Sequence, residues 1–318
     1  MLKSLLVSLT ISHLLLLTMS IKFYKTEKEE GSDTTFAVWY PEGKTSCPVV
    51  VFAHGYGGSS GDHDYLASKI AADGYVVVIP DREGDDKHGF LGIFTFMMFA
   101  TPINTVTVDG TTLQAALDYV TAAAKDKSGS PLSGGVVDPT NVIAGGFSMG
   151  GVEAINFVAR TKETTPVKAL LLVSPSIMMF GTVSWRISYS GLVETAKEIE
   201  CPTLFITSDN DMAAVSAFSY SGRGKDAELV VFKSEHLDIE CPTTKKSSWA
   251  SFLGFPGKAM GLNDHFALAC EEGPTYKAIL PFLTNVLKTG KSGDLGIDPS
   301  LLAPKEMNYS KTFQFMFG

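Results

Sequence analysis

Two Val-rich runs, Pro48–Ala53 (PVVVFA) and Tyr75–Pro80 (YVVVIP), constrain this chain more than any other feature, because neither shows the polar alternation of a half-exposed strand. Such runs fit strands buried on both faces, the situation of a parallel sheet covered by helices. Between them, His63–Gly74 (HDYLASKIAADG) places Leu66, Ile70 and Ala71 at helical spacing and ends on a glycine, a common helix stop. The chain therefore contains a strand–helix–strand unit.

The order repeats downstream. Thr111–Ala124 has a helical apolar pattern, Asn141–Gly145 reads as a short strand, and Gly150–Thr161 starts another helix. Val167–Val173, Thr203–Thr207 and Ala227–Phe232 are further strands, and Tyr276–Leu287 is a closing helix. This alternation predicts an α/β fold, a mostly parallel central sheet with helices on both faces, whose functional residues gather beyond the carboxyl ends of the strands. With 318 residues and 45% hydrophobic side chains, one large domain over 35–290 suffices, followed by a tail over 291–318 that is extended or docked. The segment Gly89–Ile103 (GFLGIFTFMMFATPI) breaks the alternation and reads either as a buried loop or helix or as an apolar cap over a pocket.

The formal charge of −8 comes from dispersed acidic residues, with no Lys/Arg cluster to replace counterions along a phosphate backbone, so nucleic acid is excluded as a partner class. At the N-terminus a single lysine precedes the uncharged run Ser4–Ile21. Residues 1–21 read as a signal peptide or an uncleaved signal anchor, which would tie the chain to a membrane. Four cysteines in an oxidising compartment allow three complete pairings. Cys241 and Cys270 bracket a loop that a bridge would pin, while Cys47 and Cys201 read as small buried thiols. Asn308-Tyr309-Ser310 is a glycosylation acceptor if the tail is lumenal.

The chemistry is carried by Gly146-Phe147-Ser148-Met149-Gly150, a G-x-S-x-G pattern between a predicted strand and a predicted helix. Flanking glycines permit the sharp turn that exposes a serine hydroxyl and aims a helix N-terminus at a substrate carbonyl. The oxyanion of an acylation reaction needs two donors. The backbone N–H of Met149 is one, and that of Tyr56, in the His54-Gly55-Tyr56 loop after the first Val-rich strand, is the other. His54 is read here as structural.

The carboxylate that orients an imidazole is expected beyond a later strand, where Asp209 and Asp211 follow Thr203–Thr207. Asp211 lies farther out and is preferred, with Asp209 capping the turn. The same D-x-D lacks the glycine and glutamate of a calcium loop, so no metal site is expected. Two histidines, His236 and His265, lie between the last strand and the closing helix. Local spacing favours His236 only slightly, and His265 is the alternative base.

These residues resemble the α/β-hydrolase superfamily over roughly Pro48–Leu287, through PVVVFAHGYGG, ADGYVVVIPD and GGFSMGGVEA. Within it the chain resembles chlorophyllases and bacterial cutinase-like polyester hydrolases. The motif LNDHFA is similar to the cutinase-like G-A-S-H-F type and implies His265. The arrangement SEHLDIEC followed by ACEEGPTYKAI is similar to that of chlorophyllases and implies His236, the preferred assignment. The resemblance implies a serine-dependent carboxylic ester hydrolase with triad Ser148, Asp211 and His236, no cofactor, and a hydrophobic ester such as the phytyl ester of chlorophyll as substrate. A cutinase-like lipid or polyester hydrolase and a non-catalytic ligand-binding homologue are the competing readings. The secretory pathway or the cell exterior is the expected location, with a plastid or a membrane surface as alternatives.

Overall fold

The computed structural model describes residues 20–27, 33–55, 58–82, 108–126, 129–175, 195–196, 198–208, 226–232 and 274–302. Eight strands are present among them: β1 (Ile21–Lys25), β2 (Thr34–Pro41), β3 (Cys47–Ala53), β4 (Val76–Arg82), β5 (Val137–Phe147), β6 (Val167–Val173), β7 (Thr203–Ser208) and β8 (Ala227–Phe232). They form one sheet in the order β1-β2-β4-β3-β5-β6-β7-β8. Strands β3 to β8 pair in parallel, while β1 and β2 add an antiparallel edge beside β4. The helices are α1 (Asp64–Ala72), α2 (Thr111–Lys125), α3 (Met149–Thr161) and α4 (Pro274–Thr289). This is the expected α/β architecture.

Successive side chains of a strand point to opposite faces, so an uninterrupted Val-rich run must feed two cores. In β3, Val49 and Val51 join Leu113 and Leu117 of α2 and Ile155 and Phe157 of α3 on one face. Val50 and Phe52 join Leu66 and Ile70 of α1 and Ile279 and Phe282 of α4 on the other. Each fully buried aliphatic or aromatic side chain of this kind contributes about 1.5–3 kcal/mol relative to exposure. Both layers are therefore tied to the same central strands.

The antiparallel edge has no counterpart among the strands expected from the sequence, because its strands mix charge and aromatics, IKFYK and TTFAVWYP, without a continuous apolar run. Trp39 of β2 is nevertheless buried, and its indole N–H donates to Asp64 Oδ1 at 2.8 Å, fastening the edge to α1. β5 is also longer than its apolar centre, starting at Val137. At the opposite edge, the segment after α4 docks. Ser292 donates from its N at 2.9 Å and its Oγ at 2.6 Å to Asp226, Leu295 is buried, and Leu302 bridges Phe232 of β8. Among the described residues no helix is long and apolar enough to cross a membrane.

Candidate active site

The parallel register brings the carboxyl ends of β3, β5 and β6 level, since Ala53 pairs with Gly146 and Phe147 pairs with Val173. Whatever follows these ends shares one rim. Ser148 is the first residue beyond β5 and the N-cap of α3, with φ 52° and ψ −118°. Those angles belong to the first central position of a type II′ turn, ordinarily a glycine position. An L-residue there carries about 1–3 kcal/mol of strain and persists only where its surroundings over-determine it. Here the Ser148 N–H donates to Val173 O at 2.9 Å, and its carbonyl accepts from Gly151 N at 3.1 Å.

Met149 begins α3, so its N–H has no acceptor within the helix and lies at the positive end of the helix dipole. Close packing fixes that end. A Cβ on Gly150 would stand 2.5 Å from the carbonyl oxygen of His54, and one on Gly151 would stand 2.8 Å from Pro175 Cβ. Glycine is what lets the first turn of the helix press against the ends of β3 and β6.

The loop after β3 lies against the serine. A Cβ on Gly55 would be 3.3 Å from Ser148 Cβ and 3.0 Å from Phe147 Cδ1. The Gly55 carbonyl accepts from Gly58 N at 3.1 Å, and His54 Nδ1 lies 2.8 Å from the same oxygen. A carbonyl only accepts, so Nδ1 carries the proton. Nε2 then faces Asp81 Oδ1 at 3.9 Å.

Asp81, near the end of β4, gathers the surrounding polar groups. It accepts from Ser60 N at 2.6 Å, from Ser60 Oγ at 2.5 Å and from Lys25 Nζ at 2.7 Å. Burial pushes its carboxyl up, but the bonds from Lys25 and Ser60, with His54 nearby, outweigh that and hold it below the usual carboxylate value. His63, also buried, packs its ring 5.3 Å from Phe52 and 5.7 Å from Phe147. Sequence reading passed over Asp81 and His63. Asp81 could have been found, since it directly follows an apolar strand, where functional groups collect.

On the other side of Ser148, Ser174 follows the end of β6 and Thr207 lies near the end of β7, each one step beyond the pair Val173–Ile206. Ser174 has φ 42° and donates its N–H to Ile206 O at 2.7 Å. Both hydroxyls are fully buried and have no hydrogen-bond partner among the described residues. Such donors cost about 1–3 kcal/mol each when unsatisfied.

The structure thus brings Ser148 and Met149 together at the rim, beside His54 and Gly55. Tyr56, Asp209, Asp211, His236 and His265 lie outside the described residues, as do Gly89–Ile103, Cys241, Cys270, Asn308 and residues 1–19. Cys47 and Cys201 are free thiols, and burial pushes Cys201 up to about 12. Among the described residues no group of three or more His, Cys, Asp or Glu side chains could hold a metal ion.

A mostly parallel sheet covered by helices on both faces, with a serine on a strained strand–helix turn at its carboxyl edge, is the layout of an α/β-hydrolase fold. A model of the alpha/beta hydrolase family matches residues 50–253, and the chain belongs to that family. No match to the chain was found among curated proteins.

Proposed function

We propose that this hydrolase is a serine-dependent carboxylic ester hydrolase acting on a hydrophobic ester. The observation that carries the reading is the backbone of Ser148, held at φ 52° between β5 and α3. A strained non-glycine residue at that point has a ready explanation in nucleophilic catalysis. In this reading Ser148 Oγ attacks the ester carbonyl while His236 takes its proton and Asp211 orients the imidazole. The N–H groups of Met149 and Tyr56 hold the oxyanion. The C–O bond of the ester breaks, the alcohol leaves with the proton from His236, and water then hydrolyses the acyl-enzyme with the same histidine as base.

The resemblance of SEHLDIEC and ACEEGPTYKAI to chlorophyllases supports a bulky substrate such as the phytyl ester of chlorophyll, with chlorophyllide and phytol as products. The N-terminal run Ser4–Ile21 supports entry into the secretory pathway or attachment to a membrane. Turnover of a panel containing chlorophyll and short acyl esters, by the parent protein and the His236→Ala and His265→Ala variants, tests the reading. Chlorophyllide release lost only in His236→Ala is the expected result. Acyl-ester turnover without chlorophyllide would favour the cutinase-like alternative, loss only in folded His265→Ala would reassign the base, and no turnover of any ester would leave a ligand-binding homologue.

A further inference from the structure

The first turn of α3 starts between the ends of β3 and β6, the strands that flank β5 in the sheet. Its two consecutive glycines each face one of these walls. A Cβ on Gly150 would meet the backbone of Ala53 and His54, and one on Gly151 would stand 2.8 Å from Pro175 Cβ and 3.1 Å from Pro175 Cα. Pro175 is buried and lies just beyond the end of β6. We propose that Pro175 is a positioning residue, a stop on the β6 side that fixes where the turn bearing Ser148 comes to rest. The proposal deepens the ester-hydrolase reading and rests on it, because its consequence is the placement of the nucleophile.

The stop holds its place because the chain that carries it is fixed on two sides. The C=O of Val173 and the N–H of Ser174 belong to one planar trans peptide and point in opposite directions. The carbonyl accepts from Ser148 N at 2.9 Å, and the N–H donates to Ile206 O at 2.7 Å, so this peptide is tied to the nucleophile turn and to β7 at once. The next residue, Ser174, has φ 42°, a conformation that L side chains rarely adopt. Its hydroxyl is fully buried without a hydrogen-bond partner among the described residues, so the side chain does not offset that strain. What the strained backbone achieves is to bring Pro175 onto Gly151 directly after the strand ends. A proline suits such a contact, since its ring holds φ at about −65° and it has no side-chain freedom to lose. Backbone strain collects where a site needs a group held in one place.

A shift of reacting groups approaching 1 Å costs about 10²-fold in rate, and removing one wall permits a smaller shift. The test is kcat/KM for a soluble short-chain ester, which reports acylation, measured per folded molecule with urea unfolding of each protein. It compares the parent with Pro175→Gly, Pro175→Ala, Gly151→Ala and the double variant Gly151→Ala/Pro175→Gly. Pro175→Gly should lose about 5–50-fold. Pro175→Ala keeps the Cβ nearest Gly151 and should stay within about threefold of the parent. Gly151→Ala should lose about 10–100-fold, because its methyl meets Pro175 Cβ. In the double variant that methyl replaces the lost ring carbon as the stop, and the rate should return to within about fivefold of the parent. If Gly151→Ala does not fold, the deeper loss in Pro175→Gly than in Pro175→Ala decides alone. A folded Pro175→Gly that acylates like the parent, a Pro175→Ala as slow as Pro175→Gly, or a Gly151→Ala defect that Pro175→Gly leaves unchanged or deepens would overturn the proposal. A parent that turns over no ester, or does so no faster than Ser148→Ala, would instead refute the hydrolase reading on which it stands.

Discussion

Gly150→Ala sets two effects of opposite sign against each other. An alanine inside a helix is favoured over glycine by about 1 kcal/mol, so with nothing in the way the substitution would stabilise α3. The new Cβ would instead lie 2.5 Å from His54 O and 2.6 Å from Ala53 C, whereas ordinary contact begins at 3.4 Å. The obstacle is strand backbone, not a side chain that can swing aside. Either the helix N-terminus retreats or the end of β3 does, by several tenths of an ångström or more. Overpacking of this kind costs about 1–3 kcal/mol, and the rigid neighbours argue for the upper end. The net expectation is a loss of about 2 kcal/mol, read as a lower midpoint in urea unfolding with an unchanged slope. The same movement separates the Met149 N–H from the β3 loop, and a shift approaching 1 Å can cost about 10²-fold in rate. Gly150→Ala should therefore be both less stable and far slower to acylate. A variant as stable as the parent or more so, with normal acylation, would show that the helix end is not packed as described.

Other substitutions probe separate parts of the account. Phe157→Ala, in a fully buried site of the first core, should lose about 3–5 kcal/mol in the same urea assay. Asp81 has a depressed pKa, so the stability it supplies is fully present above its ordinary value of 3.8 and is lost as pH falls through its lower folded value. The melting temperature of Asp81→Asn should consequently fall less steeply below pH 3.8 than that of the parent. With its thiol pushed up to about 12, Cys201 should resist iodoacetamide at pH 8 in the folded protein and react once urea unfolds it, as read by peptide mass.

The parts of the fold legible in the sequence are those where one physical signal dominates. Pro48–Ala53 and Tyr75–Pro80 are apolar on both faces because each supplies two cores, and the strands found there differ from the expected ones only at their ends. Thr34–Pro41 carried no such signal. Its neighbours are β1 and β4, and its register with them is a tertiary fact that local composition does not encode. At the site, G-x-S-x-G announced the turn at Ser148 because the backbone demand there is local. The cluster of Lys25, His54, Ser60 and Asp81 is illegible for the opposite reason, since its members meet only once β1, β4 and β3 are gathered into one sheet with β2 between the first two.

The central claim is that Ser148 is a nucleophile. The most direct measurement is labelling of the folded protein with a fluorophosphonate, followed by peptide mapping of the adduct. The account predicts a single adduct on the peptide containing Ser148, and none in a Ser148→Ala variant with the same melting temperature. No adduct on the folded parent, or an adduct that survives Ser148→Ala, would contradict it.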